Sequence, residues 1–221
     1  MINNNTVSRN SFMLVISSPS GAGKTALANK LLNVDNGFAL SVSVTTRPPR
    51  PGEIDGKDYY FVDDSKFKDM IDNQELLEYA SVFSYKYGTK AELVRAAQAR
   101  GKDIIFDIDW QGAQQLRDNI EITSQLVTIF ILPPSISELS RRLKARASDS
   151  VESVKNRMSN VSKEISHWKQ YDYVIINDDF EFCFNQLHGI VQAERAKRER
   201  QSGLFGFVDQ LSLDASKLNK F

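Results

Sequence analysis

Short, nearly continuous apolar runs alternate along the chain with longer stretches in which apolar residues recur every three or four positions. The continuous runs are rich in Val, Ile and Phe, which is typical of strands buried on both faces of a parallel sheet. Buried strands are predicted at 12–17, 104–109, 126–132 and 173–177. Half-exposed strands are predicted at 39–44, where polar and apolar residues alternate, and at 59–62.

The stretches between these runs have the apolar spacing of helices. Three stripes predict helices that pack on the sheet: Leu27, Leu31 and Leu32; Ile136, Leu139 and Leu143; and Phe180, Cys183, Phe184, Leu187, Ile190 and Val191. Buried strands that alternate with helices predict an α/β fold, in which helices cover both faces of a parallel sheet. Because Cys183 lies within the third stripe, we expect it to be a core residue and not a redox group.

Two segments interrupt this alternation. Residues 43–89 contain three prolines, several glycines and many tyrosines, and are predicted to form a small inserted subdomain. Residues 135–165 are helical in pattern and basic near their start. Insertions of this kind commonly carry the substrate-binding and closing parts of such folds. The sequence does not indicate a role for the tail at 202–221. The predicted core consists of residues 10–42, 90–134 and 166–201.

The composition narrows the class of protein. The 221 residues include 28 Lys plus Arg and 28 Asp plus Glu, and this balance argues against a protein that coats nucleic acid. One cysteine excludes an intrachain disulfide framework, and with only two histidines a Cys/His zinc site is not expected. No apolar run reaches the roughly 18 residues of a membrane span, and the start lacks the apolar middle of a signal peptide. We therefore expect a soluble, cytoplasmic protein that binds neither nucleic acid nor membrane.

The most specific chemical signal is the run Ser18, Pro19, Ser20, Gly21, Ala22, Gly23, Lys24 and Thr25. It follows a predicted buried strand and opens a predicted helix, which is the context of a phosphate-binding P-loop. Glycines let the backbone N–H groups turn inward, and the helix N-terminus adds partial positive charge. Lys24 then reaches the β- and γ-phosphates of a nucleotide, and the Thr25 hydroxyl ligates Mg²⁺. Ser18 stands where the usual pattern has its first glycine.

A second signal is the pair Arg47 and Arg50, which lies among prolines that fix the local backbone. Guanidinium groups suit a phosphate because each can donate two parallel hydrogen bonds. Tyr59 and Tyr87 offer hydroxyl donors nearby, and the Glu78 carboxylate can accept two N–H donors from a guanine edge. The arginines are equally compatible with a solvated loop, the tyrosines with ordinary strand positions and Glu78 with a solvated helix.

Two further signals follow along the chain. Asp107 and Asp109 end a predicted hydrophobic strand, at the edge where this fold class binds ligands, and can hold Mg²⁺ through water or orient a substrate. Burying both carboxylates for a purely structural purpose would cost free energy.

Arg142 and Arg146 share a helix face, and Arg157 follows. Mobile arginines that close over a transferring phosphoryl group are a recurring arrangement, although a solvated basic helix face explains the pattern equally well.

Taken together, these stretches resemble the guanylate kinases, which phosphorylate GMP. Roughly residues 12–200 match in family order through the strings SPSGAGKT, SVSVTTRPPRPGEIDGKDYYFV, ELLEYASVFSYKYGT, DIIFDIDWQGAQQLR, FILPPS with RRLKAR, and YDYVIINDDF. The resemblance implies a P-loop NTPase-like parallel core, a mixed α/β GMP-binding insertion at 43–89 and a helical lid at 135–165. It also implies ATP as co-substrate with Mg²⁺, and conversion of ATP and GMP to ADP and GDP in guanine nucleotide synthesis and recycling.

The resemblance implies the site residues as well. The GMP phosphate would be held by Ser43, Arg47, Arg50, Tyr59 and Tyr87. The guanine edge would be read by Glu78 and Thr89, with Asp107 or Asp109 assisting. The P-loop residues 18–25 and Asn177 would bind ATP, and Thr25 would hold Mg²⁺ with Asp107 acting through water. The catalytic set would be Lys24, Arg47, Arg142, Arg146 and Arg157.

Two other functions stay open at this point. One is a guanylate-kinase-like interaction module that has lost catalysis; such modules characteristically lose the P-loop lysine and the lid arginines, whereas both are present here. The other is a kinase for another small phosphorylated acceptor, against which the pair Glu78 and Thr89 argues. The sequence leaves open whether the chain forms a homo-oligomer, and what Lys86 does beside the implied GMP site.

Overall fold

The computed structural model describes residues 7–82, 84–145 and 151–218. Its strands are β1 (Met13–Ser17), β2 (Phe38–Leu40), β3 (Ser43–Thr45), β4 (Tyr60–Phe61), β5 (Leu76–Val82), β6 (Tyr85–Lys90), β7 (Asp103–Asp107), β8 (Leu126–Leu132) and β9 (Tyr173–Ile176). Its helices are α1 (Lys24–Val34), α2 (Asp64–Asp72), α3 (Ala91–Ala99), α4 (Trp110–Asp118), α5 (Ile136–Lys144), α6 (Val151–Ser166), α7 (Phe180–Ala196) and α8 (Leu204–Leu218).

Five of the described strands form a parallel sheet in the order β2-β7-β1-β8-β9. Every residue of the central strand β1 is buried, because helices cover both faces of the sheet. Helices α1, α5 and α7 contribute to the core on one face, and α3 and α4 to the core on the other. This arrangement confirms the predicted α/β fold. Cys183 is buried in the first of these cores, as expected, and burial raises the pKa of its thiol to about 11.

The half-exposed strand predicted at 39–44 is wrong as a single element. β2 ends at Leu40 and pairs with β7, whereas β3 begins at Ser43 and pairs with β4 and β6 in a second sheet. Ser41 donates its N–H to the carbonyl of Ile105 at 2.9 Å before the chain leaves the parallel sheet. Alternating polarity predicts extended backbone but not its pairing partner. The other predicted strands are present, with ends shifted by at most two residues.

The second sheet has the strand order β4-β3-β6-β5 within the described residues. It is mixed, because β3 is parallel to β4 but antiparallel to β6. Val44, Phe67 and Met70 form its small core between the sheet and α2. Asp63 starts α2 by accepting a hydrogen bond from the N–H of Lys66 at 2.7 Å.

Glutamine side chains of α4 connect the parallel sheet to the second sheet. Gln115 accepts a hydrogen bond from the N–H of Tyr79 at 3.0 Å and donates one to the carbonyl of the same residue. Gln111 donates to the carbonyl of Ser81 at 3.1 Å. Because α4 follows directly from the end of β7, these bonds place β5 beside the carboxyl edge of the parallel sheet.

The segment predicted to be helical at 135–165 contains α5 and α6. Leu139 and Leu143 of α5 are fully buried and pack against the loop before α1, where a Cβ on Gly21 would lie 2.9 Å from the Leu143 side chain. Ile136, predicted to share this stripe, is 50% exposed, so that prediction is wrong for its first member. Ile136 is the first residue of α5 and lines a shallow groove with Met158 and Ile165 of α6.

The tail forms helix α8, whose side chains are largely exposed. The N–H of Gly203 donates to the carbonyl of Ser8 at 2.9 Å, so the helix begins beside the first described residues. Among the helices that the structure describes, none combines the length and the apolar character needed to cross a membrane.

Candidate active site

The loop between β1 and α1 has the geometry of a phosphate-binding loop. Gly21 and Gly23 adopt φ angles of +93° and +103°, which residues with side chains rarely adopt. A Cβ on Gly23 would lie 2.3 Å from Nδ2 of Asn177, so a side chain does not fit there. The same Nδ2 donates a hydrogen bond of 2.7 Å to the carbonyl of Ala22. The buried Asn177 therefore supports the backbone of the loop.

Three polar side chains meet where this loop enters α1. Asp107 is the last residue of β7, which pairs with β1. The Thr25 hydroxyl donates to Oδ2 of Asp107 at 2.8 Å. The Lys24 ammonium forms an ion pair with Oδ1 of Asp107 and donates to the carbonyl of Ile108 at 3.3 Å. Neighbouring parallel strands thus bring a lysine, a hydroxyl and a carboxylate together at the ligand-binding edge of the sheet.

Asp109 lies just beyond the end of β7, because the strand ends two residues earlier than predicted. Its side chain caps α4, accepting hydrogen bonds from the N–H groups of Gln111 at 2.9 Å and Gly112 at 3.2 Å. The Gln111 side chain donates to its other oxygen at 2.9 Å. These donors satisfy a carboxylate that would otherwise be costly to hold at the edge of the core.

Glu78 of β5 and Thr89 of β6 form a buried polar pair. The Thr89 hydroxyl donates to Oε1 of Glu78 at 2.7 Å and lies 3.1 Å from the hydroxyl of Ser41. Glu78 is only 3% exposed, and this burial raises its pKa to about 7; the Asp109 carboxylate adds to the rise and the Thr89 bond opposes it. A Cβ on Gly112 would lie 2.3 Å from Oε2 of Glu78, so α4 can cover this carboxylate only through a glycine.

Arg47 lies two residues after β3 of the second sheet, is buried, and is fixed by several contacts. It forms a bidentate pair with Glu53, at 2.9 and 2.7 Å, and donates to the carbonyl of Pro48 at 2.8 Å. The hydrogen bond with Glu53 raises the pKa of Arg47 and lowers the pKa of Glu53. The guanidinium carbon lies 5.1 Å from the ring centre of Tyr59, whose ring meets Tyr87 edge-on at 6.1 Å.

The predicted lid arginines have different surroundings. Arg157 of α6 donates to the Ser20 hydroxyl at 2.9 Å and so reaches the phosphate-binding loop. Arg142 of α5 donates to Glu138 at 2.7 Å and to the carbonyl of Asn177 at 3.1 Å. Hydrogen bonds from Arg141 and then Arg142 lower the pKa of Glu138 to about 2. Arg146 lies outside the described residues, so its predicted role stays a prediction.

One cavity of about 870 Å³ brings most of the predicted residues together. The predicted residues that line it are Ser18, Ser20, Gly21, Gly23, Lys24, Thr25, Ser43, Arg47, Arg50, Tyr59, Glu78, Tyr87, Asp107, Asp109 and Arg157. The predicted residues that lie outside this lining, among those described, are Pro19, Ala22, Thr89, Arg142 and Asn177. The cavity therefore extends from the phosphate-binding loop to the inserted sheet, with cationic groups from both.

The structure adds lining residues that the sequence analysis did not assign. Tyr85 lines the cavity, two residues before Tyr87 and hence on the same face of β6. Glu164 lines it from α6, seven residues after Arg157 and hence on the same side of that helix. Both could have been found from these spacings. Lys86, between the tyrosines, instead forms an ion pair with Asp64 at 2.8 Å. Its charge is therefore neutralised away from the cavity.

The chain is similar in sequence and in structure to proteins of one known family. A family model described as guanylate kinase matches residues 10–194. The chain is 52% identical over 202 residues to a guanylate kinase of Bradyrhizobium diazoefficiens, covering 91% of each chain. It is 51% identical over 213 residues to a guanylate kinase of Agrobacterium fabrum, covering 96% of each. The crystal structure of guanylate kinase from Anaplasma phagocytophilum is similar with a TM-score of 0.75 and 37% identity, over 92% of this chain and 96% of that one.

Proposed function

Because the chain belongs to the guanylate kinase family, we propose that its large cavity is where ATP and GMP meet and the phosphoryl group is transferred. The activity is the conversion of ATP and GMP to ADP and GDP. One observation carries the assignment. A single cavity is lined at one end by the phosphate-binding loop and at the other end by the buried carboxyl group of Glu78. A donor and an acceptor nucleotide would thus lie with their phosphates together.

The loop end of the cavity suits the phosphates of ATP. Backbone N–H groups of residues 18–25 and the N-terminus of α1 favour anionic oxygens. Lys24, held by Asp107, would contact the β- and γ-phosphates. Asn177 supports the loop at Ala22, and an adenine contact by the same residue is part of the proposal.

The residues near Asp107 fit a magnesium ion. The Thr25 hydroxyl and the Asp107 carboxylate lie 2.8 Å apart at the mouth of the loop, and oxygen donors of this kind are what Mg²⁺ prefers. Mg²⁺ is commonly bound by one or two protein groups together with substrate phosphates and waters. We propose that Thr25 holds the ion and that Asp107 does so through water. When bound, the ion would neutralise charge on the phosphates.

The other end of the cavity suits GMP. Arg47, Arg50, Tyr59, Tyr87 and Ser43 line it and would hold the phosphate. The contacts of Arg47 with Glu53 and Pro48 use three of the five N–H donors of its guanidinium, so the group is already oriented. Such preorganisation reduces the entropy lost when the phosphate binds.

Glu78 and Thr89 would read the guanine. An ionised carboxylate accepts two N–H donors at once, which is the pattern that a guanine edge presents and an adenine edge does not. The Thr89 hydroxyl donates to Oε1 and orients the carboxylate. Asp109, fixed by the start of α4, would assist from its side of the cavity.

The transfer itself needs no nucleophilic side chain, since an oxygen of the GMP phosphate is the attacking atom and is ionised near neutral pH. Catalysis is then positioning together with stabilisation of the charge on the transferring group. We propose Lys24, Arg47 and Arg157 for this role, with Arg142 and Arg146 joining them as the helical segment closes. Closure would also exclude water.

A coupled assay of ADP release tests the function with GMP, AMP, UMP, CMP and no acceptor in turn. We expect release with GMP. Turnover with none of the acceptors would favour a non-catalytic interaction module, and turnover with another acceptor would favour a different small-molecule kinase. Neither alternative is favoured at present, because the P-loop lysine and the Glu78–Thr89 pair are both in place.

The variant Lys24→Ala tests the loop assignment. We expect it to abolish turnover, because the β- and γ-phosphates lose their cation, while GMP binding measured by calorimetry stays close to that of the wild type. Lys68→Ala, which removes an exposed lysine of α2, is the matched control and should keep full activity. A near-normal kcat in Lys24→Ala would show that the loop is not the ATP site.

A further inference from the structure

Glu164 of α6 contacts the phosphate-binding loop although the transfer proposed above gives it no role. Its Oε2 accepts a hydrogen bond from the backbone N–H of Ser20 at 3.1 Å. Arg157, two turns earlier on the same helix, donates to the hydroxyl of Ser20 at 2.9 Å. One helix thus holds one loop residue by two bonds, an anionic acceptor on the backbone and a cationic donor on the side chain.

The chemistry of this contact resembles that of a bound phosphate. Inward-facing N–H groups of such a loop bind anionic oxygens, and a carboxylate oxygen on one of them stands where a phosphate oxygen would be expected. The charged groups that face Glu164 are Lys24 of α1 and Arg157 of α6, which favour its ionised form, and Asp109 at the start of α4, which opposes it. The carboxylate therefore shares its cationic partners with the nucleotide.

Keeping the Glu164 carboxylate ionised at this position costs free energy. Burial raises the pKa of Glu164, and the Ser20 N–H, Lys24 and Arg157 offset that rise only in part. A triphosphate carries more negative charge than a carboxylate and can engage the other N–H groups of the loop at the same time. A stronger anion of this kind would displace Glu164 from Ser20.

We propose that Glu164 is a latch, which occupies the Ser20 N–H while the loop lacks nucleotide and is displaced by the phosphates of ATP. The inference rests on the proposed function, because it takes the loop to be the ATP site. Displacement breaks one of the two bonds between α6 and the loop, so α6 is then held at Ser20 by Arg157 alone. Arg157 can therefore turn toward the transferring group more readily when the donor nucleotide is present. The latch also lowers the apparent affinity for ATP, because part of the binding free energy is used to break the Glu164–Ser20 bond.

The test compares Glu164→Ala and Glu164→Gln with the wild type, using the non-hydrolysable ATP analogue AMP-PNP and calorimetry. We expect Glu164→Ala to bind AMP-PNP about threefold to tenfold more tightly, which is the worth of one competing hydrogen bond. Glu164→Gln keeps an acceptor oxygen but no charge, so its gain should be smaller. The Kd for GMP should not change in either variant. Glu92→Gln removes an exposed carboxylate of α3 and should leave both affinities unchanged.

Hydrogen exchange supplies a second readout. In the absence of nucleotide, amides of α6 should exchange faster in Glu164→Ala than in the wild type. AMP-PNP should remove the difference, because it breaks the Glu164–Ser20 bond in the wild type and the variant lacks that bond. A residue that merely supports the fold would not tighten nucleotide binding when removed.

The outcomes separate the two proposals. Weaker binding of AMP-PNP in Glu164→Ala would show that the carboxylate assists the nucleotide, and would overturn the latch. Unchanged affinity and unchanged exchange in variants of a wild type that binds AMP-PNP would also overturn it, while leaving the proposed function intact. If the wild type fails to bind AMP-PNP, the loop is not an ATP site and both proposals fall.

Discussion

The role in guanine recognition proposed for Glu78 comes with a cost to the stability of the folded state. The pKa of Glu78 is raised from 4.5 to about 7, chiefly because the side chain is buried, with Asp109 adding to the rise. A carboxyl whose pKa is higher in the folded chain than in the unfolded chain contributes stability that is fully present below pH 4.5 and is lost as the pH rises through 7. Above that range the ionised group costs about 3 kcal/mol, at about 1.4 kcal/mol for each pH unit between the two pKa values.

We therefore expect Glu78→Gln to be more stable than the wild type at pH 8.5, by up to about 3 kcal/mol or roughly 5–10 °C in Tm. The two Tm values should converge as the pH falls below 4.5. The same variant should bind GMP more weakly, because a carboxamide presents one acceptor and one donor to the guanine edge instead of two acceptors. Thermal unfolding and GMP titration across this pH range measure both effects.

The pH dependence of GMP binding provides a further check on Glu78. Wild-type affinity should fall below about pH 7 as the carboxylate is protonated, whereas Glu78→Gln should show only the titration of the GMP phosphate itself. Glu121→Gln, at an exposed position, should behave as the wild type in every measurement. A Tm difference between wild type and Glu78→Gln that is constant with pH would contradict the assignment of the pKa.

The burial and the raised pKa of Glu78 could not be predicted from the sequence, because both depend on which residues pack against its side chain. The family resemblance implies a role in guanine recognition, which stays a prediction, but the burial of Glu78 depends on α4, which is distant in the chain. The position of Lys86 shows the opposite case. Its location away from the cavity follows from the strand period of two, once Tyr85 and Tyr87 are known to line it.

Helices and strands were predicted where a hydrophobic period is sufficient to identify them. The strands of the parallel sheet are nearly continuous apolar runs, and all were predicted, with β2 merged into a longer element. The merger occurred because polar alternation continues through the residues at which the chain changes sheets. The contact of α4 with β5 was not predicted, since it depends on Gln111 and Gln115 bonding to the backbone of a strand that is remote in sequence.

That contact makes Gly112 a critical position of α4. An alanine Cβ there would lie 2.3 Å from Oε2 of Glu78, so either the carboxylate or the helix must move. We expect Gly112→Ala to raise the KM for GMP by at least about tenfold, as displacement of a positioned group by 1 Å can cost more than that. The KM for ATP should change little. Steady-state kinetics with each substrate varied in turn measures the difference.

Gly189→Ala is the matched control for this variant. Gly189 lies within α7, and a Cβ there has no neighbour within 4 Å among the described atoms. The substitution should stabilise the protein by about 0.5–1 kcal/mol through helix propensity alone and leave both KM values unchanged. Equal effects of Gly112→Ala on the two substrates would show that the substitution disturbs the whole fold instead of the Glu78 end of the cavity.

At the scale of the whole molecule, the two ends of β7 carry aspartates in different surroundings. Asp107 ends the strand at the cavity, whereas Asp103 begins it and is fully buried. Asp103 accepts two hydrogen bonds of 2.7 Å from Arg9, one of 2.9 Å from Arg195 and one of 3.1 Å from the N–H of Phe12. These bonds join the segment before β1, the strand β7 and the helix α7. No local pattern reveals this network, because its members are far apart in the chain.

We expect Asp103→Asn to lower the free energy of unfolding by about 3–5 kcal/mol, since it leaves two arginines without their shared carboxylate, while kcat and both KM values stay unchanged in the folded protein. Asp107→Asn should do the reverse: activity falls by about 10–100-fold, because Lys24 and Thr25 lose the group that orients them, and stability changes by about 1 kcal/mol or less. Urea unfolding and steady-state kinetics on both variants measure these effects. A loss of activity in Asp103→Asn at temperatures where the variant is fully folded would contradict the prediction. It would mean that the amino end of the parallel sheet is coupled to the cavity at its carboxyl end.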